Sequence, residues 1–194
     1  MISLFLDTST KYLCIGIAKD HKVIYKFQQE AIKKQSELTI PFLSKALEEV
    51  NISLNDIDEV NVTIGPGSFT GIRIGMCIAK VLASMKNIPL KAISSLNAYA
   101  SLGKKIVILD AKAKRVYLGI YNNNEKVIDE CVVEIETLKE MLNDYQDYDV
   151  VLDSFLIGKD SETIDVIENM NRISLTTEVV ENVDALVPIY LKDR

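Results

Sequence analysis

Two segments of this chain, 103 positions apart, read almost alike. Leu4 to Ala18 (LFLDTSTKYLCIGIA) lies over Val107 to Tyr121 (VILDAKAKRVYLGIY) without a gap. Five of the fifteen positions are identical: Leu6/Leu109, Asp7/Asp110, Lys11/Lys114, Gly16/Gly119 and Ile17/Ile120. Apolar types match at Leu4/Val107, Phe5/Ile108, Leu13/Val116 and Ile15/Leu118. After one extra residue, Lys22-Val23-Ile24 meets Lys126-Val127-Ile128. A solenoid repeats every ~20–50 residues, so this wider spacing implies two copies of a domain. We expect one domain over 1–102 and a smaller one over 103–194, joined near Leu102–Lys104.

Each copy reads as a three-stranded meander. In the first, Leu4–Asp7, Leu13–Ala18 and Val23–Phe27 are strands, with turns at Thr8-Ser9-Thr10 and Lys19–Lys22. In the second, Ile106–Asp110, Arg115–Tyr121 and Lys126–Val133 follow, with a turn at Asn122-Asn123-Asn124. The rest of the first half predicts a helix over Ser36–Val50, kinked or started late by Pro41. A strand follows at Val60–Ile64, then a loop over Gly65–Gly71 and a helix over Ile72–Lys86. A strand at Leu90–Ile93 and a helix at Leu96–Leu102 close that half. The second half predicts helices near Glu136–Tyr145 and Ser161–Met170, and strands at Val150–Leu152 and Val187–Leu191. The fold class is α/β. A buried strand that ends in Asp before a Thr/Ser turn can set hydroxyls and N–H groups against a phosphate, while the Asp holds a metal-bound water. Two facing copies of that device build the actin-like nucleotide folds. The plainer alternative is a meander whose Asp only closes a strand.

Composition narrows the chemistry. The chain is 48% hydrophobic and 26% charged over 194 residues, which is ordinary for a globular protein. The longest uncharged stretch, Val60 to Ile72, has 13 residues and contains Gly65, Pro66 and Gly67. A membrane span needs ~20 apolar residues, so no span and no membrane partner is expected. The opening Met-Ile-Ser-Leu-Phe-Leu-Asp7 has no basic region, so no signal peptide is expected. Three scattered cysteines (Cys14, Cys77, Cys131) point to a reducing, cytoplasmic setting. The single histidine, His21, sits in a predicted turn, and no pair of cysteines has chelate spacing. A metal site or a Ser-His-Asp device therefore lacks parts, and none is expected. Residues 1–102 carry 11 Lys/Arg against 9 Asp/Glu, whereas residues 103–194 carry 11 against 19. Lysine outnumbers arginine 18 to 4. Independent nucleic-acid binding is disfavoured by that balance, and contact shared within a complex is left open.

The densest motif is Ile64-Gly65-Pro66-Gly67-Ser68-Phe69-Thr70-Gly71-Ile72-Arg73-Ile74-Gly75, which holds four of the eight glycines. Strand, glycine loop and helix in that order can cradle a phosphate at a helix N-terminus. Neither the P-loop ending nor the Gly-x-Gly-x-x-Gly spacing is present, and a tight turn with close helix packing reads the same way. Along the helix, Gly71, Gly75, Ala79 and Ala83 form a stripe of small residues, with Ile74, Ile78, Val81, Leu82 and Met85 around the other side. A helix this apolar is covered on both sides. One cover is its own sheet; the other is the preceding helix or a second protein chain.

These residues resemble the TsaB (YeaZ) family. Gly65–Gly75 is similar to the family's glycine string, and Ile2–Thr10 to its opening strand and turn. Gln35-Ser36-Glu37-Leu38 resembles its helix start, where His usually replaces Gln35. Ile93-Ser94-Ser95-Leu96, Asp110-Ala111-Lys112, Val116-Tyr117 and the ending Pro188-Ile189-Tyr190-Leu191-Lys192 also match, the family usually having Arg at Lys112. The likeness is dense over 1–121 and thin over 122–187. It implies an actin-like fold of the acetate kinase/Hsp70/actin type and a role in making threonylcarbamoyladenosine beside the tRNA anticodon. It implies a non-catalytic subunit without cofactor that pairs with a catalytic TsaD-like paralogue, is joined by a TsaE-like ATPase, and forms homodimers through the same surface. That surface would comprise Phe42, Leu43, Leu47, Val50, Gly71, Ile72, Arg73, Gly75, Met76, Ala79 and Ala83. The second half has only Gly103, Gly119 and Gly158, so the nucleotide cleft reads as degenerate, with Asp7, Thr8, Ser9 and Asp110 as its relics. Two other readings stand beside this one. A free-standing actin-like ATPase or small-molecule kinase would use Asp7 and Asp110. A peptidase would need a nucleophile–base pair that the sequence does not offer.

Overall fold

A computed structural model describes residues 1–160 and 164–191. The first half folds as β1 (Ile2–Asp7), β2 (Tyr12–Lys19), β3 (Lys22–Glu30), α1 (Gln35–Glu49), β4 (Glu59–Thr63), α2 (Phe69–Lys86), β5 (Leu90–Ile93) and α3 (Ser95–Ala100). Its five strands lie in the order β3-β2-β1-β4-β5. The meander is antiparallel, with Leu6 opposite Ile15, and β4 joins β1 in parallel, with Leu4 opposite Val60. The second half repeats the plan with β6 (Lys104–Lys112), β7 (Arg115–Asn122), β8 (Glu125–Glu134), α4 (Ile135–Met141) and β9 (Asp149–Leu152), in the order β8-β7-β6-β9. Again the fourth strand pairs in parallel with the first of its meander.

The elements stack in layers. Leu4, Leu6, Leu13, Ile15 and Ile17 point to one face of the first sheet and bury against α1 and α2. The alternate residues Phe5, Cys14 and Ala18 point to the other face. There they meet α3 and α5 (Val166–Ser174), which lie between the two sheets with Leu96, Tyr99, Ile167 and Met170. Val107, Leu109, Tyr121 and Val151 close that layer from the second sheet, and α4 covers the far side. Both faces of β1, β2, β6 and β7 are thus buried, which is why these strands read as near-continuous apolar runs, while the outer strands β3 and β8 are largely exposed.

Several expectations shift. The helix over Ser36–Val50 begins at Gln35 and runs through Pro41, so there is no late start. Pro41 removes the bond to the Glu37 carbonyl, and both residues are exposed. α2 starts at Phe69, inside the predicted loop, because the Ser68 hydroxyl accepts from Gly71 N–H and caps it. The Glu136–Tyr145 helix ends at Met141 and tightens into a 3-10 turn over Leu142–Asp144. The Ser161–Met170 helix is found as α5, which starts at Val166, capped by Asp165; Ser161–Thr163 lie outside the described residues.

No strand forms over Val187–Leu191. Instead, residues 175–191 run as an irregular strap back to the first sheet. Val180 N–H donates to Leu90 O and Ile189 N–H to Ile64 O, both at 2.8 Å. The strap's Val180, Val183, Leu186 and Ile189 pack on the first core. The two halves of the sequence therefore interleave at their ends.

Candidate functional site

The turn after β1 and the glycine string after β4 grip one another. Thr8 Oγ1 donates to Gly71 O at 2.6 Å and accepts from Gly75 N–H at 3.1 Å. Ser68 N–H donates to Ser9 O at 2.7 Å. A methyl group at Gly71 would stand 2.0 Å from Thr8 O, and one at Gly67 would stand 2.2 Å from Ser9 O. One at Gly75 would stand 2.6 Å from Thr8 Oγ1. Glycine is required at 67 and 71 because backbone approaches backbone there, and at 75 because the Thr8 hydroxyl does. Of the two readings of this loop, close packing accounts for three of its four glycines. The fourth, Gly65, precedes a cis bond to Pro66, and Ile189 O of the strap passes over it.

Asp7 lies beneath that grip, fully buried. Its Oδ1 accepts from Ser9 N–H (2.8 Å), Ser9 Oγ (2.6 Å) and Thr63 Oγ1 (2.6 Å), and its Oδ2 from Tyr99 OH (2.7 Å). Each carboxylate oxygen has two lone pairs, so Oδ1 with three donors is saturated and Oδ2 with one is not. Burial pushes the Tyr99 hydroxyl well above the usual phenol range, with the Asp7 charge adding to it. Tyr99 therefore stays a donor. The fold class implies a metal–nucleotide at this acid, and the arrangement does not fit one: the Asp7 carboxylate is fully buried, holds its own turn together with Thr63 and Tyr99, and does not line the cleft between the two turns. Among the described residues, no group of three His, Cys, Asp or Glu converges on a metal position.

The second hairpin differs at its turn. Where the first has four residues between strands, the second closes on Ala113-Lys114, both at positive φ, after a bulge beyond Asp110. The gapless sequence match hid that difference. Asp110 is half-buried; its backbone N–H donates to Asp153 Oδ2 at 2.9 Å. Lys112 donates to its carboxylate through N–H (2.8 Å) and Nζ (2.5 Å). Burial raises the Asp110 carboxyl, and Lys112 outweighs that and holds it below the usual range. Asp153 is raised, chiefly by burial. Between the two turns opens a cleft of about 820 Å³, lined by Ser9, Lys11, Gly67, Phe69, Asp110 and Phe155 among others.

On the far face of the first sheet, the structure divides the sequence-predicted surface in two. Gly71, Ile72, Gly75, Met76, Ala79 and Ala83 are buried within the chain, as are Leu43 and Leu47. The stripe of small residues faces the chain's own sheet, so the other side of α2 is the one a partner can reach. The correction has a physical cause: small residues permit close approach, and the turn at Thr8 is what approaches. Phe42 is half-buried and stacks on Phe27 at 4.4 Å, Val50 is half-buried, and the exposed Arg73 lies 3.8 Å over Phe69. The outward side of α2 shows Val81 (48% exposed) and Met85 (81%), and α1 shows Ile40 (55%). Between the helices runs a groove of about 600 Å³, with Leu43, Leu47 and Ile78 along it and Cys77 and Glu48 at its margins. Ile40, Cys77 and Glu48 were not picked out from sequence. The spacing 40, 44, 48 along α1 was the available signal.

Comparison with known proteins places this architecture. A family model described as TsaD, tRNA N6-adenosine threonylcarbamoyltransferase, matches residues 27–186. The chain is 31% identical over 153 residues to the tRNA threonylcarbamoyladenosine biosynthesis protein TsaB of Bacillus subtilis strain 168, covering 72% of this chain and 67% of that one. It is 34% identical over 134 residues to the TsaB protein of Buchnera aphidicola subsp. Schizaphis graminum, covering 66% of this chain and 63% of that one. The chain thus spans about two thirds of the length of these two relatives. An uncharacterized Mycoplasma pneumoniae protein, the MG208 homolog, is 31% identical over 98% of this chain and 94% of its own length. The solved structure of YeaZ from Pseudomonas aeruginosa superposes with a TM-score of 0.81 at 19% identity, over 98% of this chain and 99% of that one, and shows the fold. The paired meanders, each with its parallel fourth strand, are the actin-like architecture, and the chain belongs to the TsaB (YeaZ) family.

Proposed function

We propose that this chain is a non-catalytic subunit in the synthesis of threonylcarbamoyladenosine in tRNA. It acts by pairing with a TsaD-type paralogue that carries the chemistry, joined by a TsaE-type ATPase, and it pairs with itself when that partner is absent. It meets tRNA only within the assembly, and it works in the cytoplasm. The observation that carries the reading is the outward face of α1 and α2, where Ile40, Val81 and Met85 flank an apolar groove. Apolar patches of this kind mark protein–protein surfaces. The burial of Asp7 beneath its own turn, outside the lining of the cleft, supports a subunit whose own cleft does not process a metal–nucleotide.

The test is reconstitution. TsaD and TsaE counterparts from the same organism are mixed with threonylcarbamoyl-adenylate and unmodified tRNA, and modified adenosines are counted. Modification that needs this chain, with none from the chain alone, is the expected result. Equal modification without the chain sinks the proposal. The open cleft between the hairpin turns, which Asp110 lines, favours a second reading, the actin-like ATPase or kinase that the sequence would place at Asp7 and Asp110. Calorimetry with magnesium-ATP separates the two, since the subunit reading expects no heat that Asp7→Ala removes.

A further inference from the structure

A smaller cavity of about 350 Å³ adjoins the cleft between the hairpin turns, with Leu109, Leu152, Ile164 and Tyr12 among its walls. Its polar side is the turn after β9. Leu152, the last residue of β9, holds φ +71°, a backbone conformation that a bulky side chain seldom adopts. A 3-10 turn over Ser154–Ile157 follows at once. Two polar side chains stand at its start, Asp153 and Ser154, and both line the cavity. Asp153 precedes the turn without capping it. Its Oδ2 accepts from Asp110 N–H at 2.9 Å, and among the described residues its Oδ1 has no partner. Ser154 is 1% exposed, and its hydroxyl has no partner among the described residues either. The cations that reach Asp153 are committed elsewhere: Lys11 is held by Glu30 at 3.3 Å and Lys112 by Asp110 at 2.5 Å. At the rim, the exposed Lys159 and Asp160 carry opposite charges. Asp153 is the half-buried charge of this lining without a counter-ion, and burial holds its carboxyl above the usual range.

We propose that this cavity binds a small protonated amine, its ammonium on Asp153 Oδ1 and Ser154 Oγ and a short apolar body against Leu109, Leu152 and Ile164. An ammonium carries three donors and no acceptor, which matches two acceptors that lack donors. Its charge answers that of Asp153, and a hydrogen bond between two ions is about twice as strong as a neutral one. An alcohol would supply the bond and leave the charge unanswered. An anionic ligand, a nucleotide included, would set its own charge against Asp153. The volume lies at the low end for small-molecule sites, which suits a short amine. The site is separate from the α1–α2 face, so it does not rest on the pairing reading.

The test is a nuclear magnetic resonance titration of the full, ¹⁵N-labelled chain with n-butylammonium chloride at neutral pH, against n-butanol and sodium chloride. Saturable shifts at the Asp153 and Ser154 amides are expected, with a Kd of ~1–10 mM. n-Butanol keeps the apolar body and lacks the charge, and should bind at least ~tenfold more weakly. Asp153→Asn should weaken the amine by a similar factor, and Ser154→Ala about threefold. Ser154→Ala deletes a hydroxyl that holds nothing else in place, so its unfolding midpoint should stay at or above that of the wild type. The contrast between amine and alcohol needs no variant, so a misfolded one cannot blur it. n-Butanol binding as tightly as the amine would make the cavity an apolar one and overturn the proposal. Shifts that sodium chloride reproduces, or an affinity unchanged in Asp153→Asn, would overturn it equally. Magnesium-ATP that displaces the amine from these two amides would give the cavity to the kinase reading instead.

Discussion

At the scale of single residues, the site is a set of exact fits between backbone and hydrogen bond. Gly71→Ala drives a methyl into a carbonyl oxygen that belongs to a fixed turn. Forced overpacking costs ~1–3 kcal/mol, and the rigid backbone on both sides puts this substitution at the upper end. Urea unfolding should show the loss directly. Asp7→Ala leaves four buried donors without their acceptor. A loss of ~3 kcal/mol or more is expected, read as a lower unfolding midpoint. Asp153 supplies a pH test. Its folded pKa lies above the ordinary carboxyl value because burial disfavours the charge. Its stabilising contribution is therefore complete in acid, below the unfolded pKa, and is lost as pH rises through the folded one. Asp153→Asn keeps an acceptor for Asp110 N–H. It should raise the melting temperature near pH ~7 and change it little near pH ~3.

At the scale of elements, most of the fold was legible because the first two strands of each meander carry apolar runs and clear turn residues. β5 was read to its end residues, Leu90 and Ile93. The duplication was legible too, since Asp7, the last residue of β1, matches Asp110, two residues before the end of the equivalent β6. The orientation of α2 was not. Gly71, Gly75, Ala79 and Ala83 advertise a close neighbour, and periodicity cannot say whether that neighbour is a helix of another chain or the chain's own Thr8 turn. The strap escaped for a related reason. Val187–Leu191 alternates like a strand, but it meets the sheet through a single bond, Ile189 N–H to Ile64 O, and not a ladder. The correction makes a prediction about α2. Ala79→Leu, on the buried side, should lower stability by ~1–3 kcal/mol. Val81→Asp, on the exposed side, should leave the melting temperature nearly unchanged and abolish pairing. Sedimentation and thermal unfolding on the two variants should therefore give opposite patterns.

At the scale of the whole molecule, the two sheets share one inner layer, and α5 and the strap tie the second half of the sequence to the first sheet. Asn169 Nδ2 donates to the carbonyls of Asn97 (3.0 Å) and Ala98 (2.9 Å), and Lys91 Nζ donates to Ser174 O at 2.7 Å. The salt bridge from Lys91 to the buried Glu59 (2.8 Å) continues that tie into the sheet. Deleting residues 179–191 removes four half-buried apolar side chains from the first core. At about 1 kcal/mol each for partial burial, the chain should lose roughly 4 kcal/mol. A truncated chain that unfolds at the same urea concentration as the intact one would show the strap to be idle.

The strap also sets an order of events in the cell. Synthesis runs from the first residue onward, and domains generally fold as units while it proceeds. The first sheet has all five of its strands by Ile93. Yet β5 receives its hydrogen bond from Val180, and the glycine loop its bond from Ile189, only after nearly a hundred further residues have been added. Until then the nascent chain shows a sheet edge and an apolar seam to its surroundings. For this protein, the interval between those two moments is when a chaperone has most to hold.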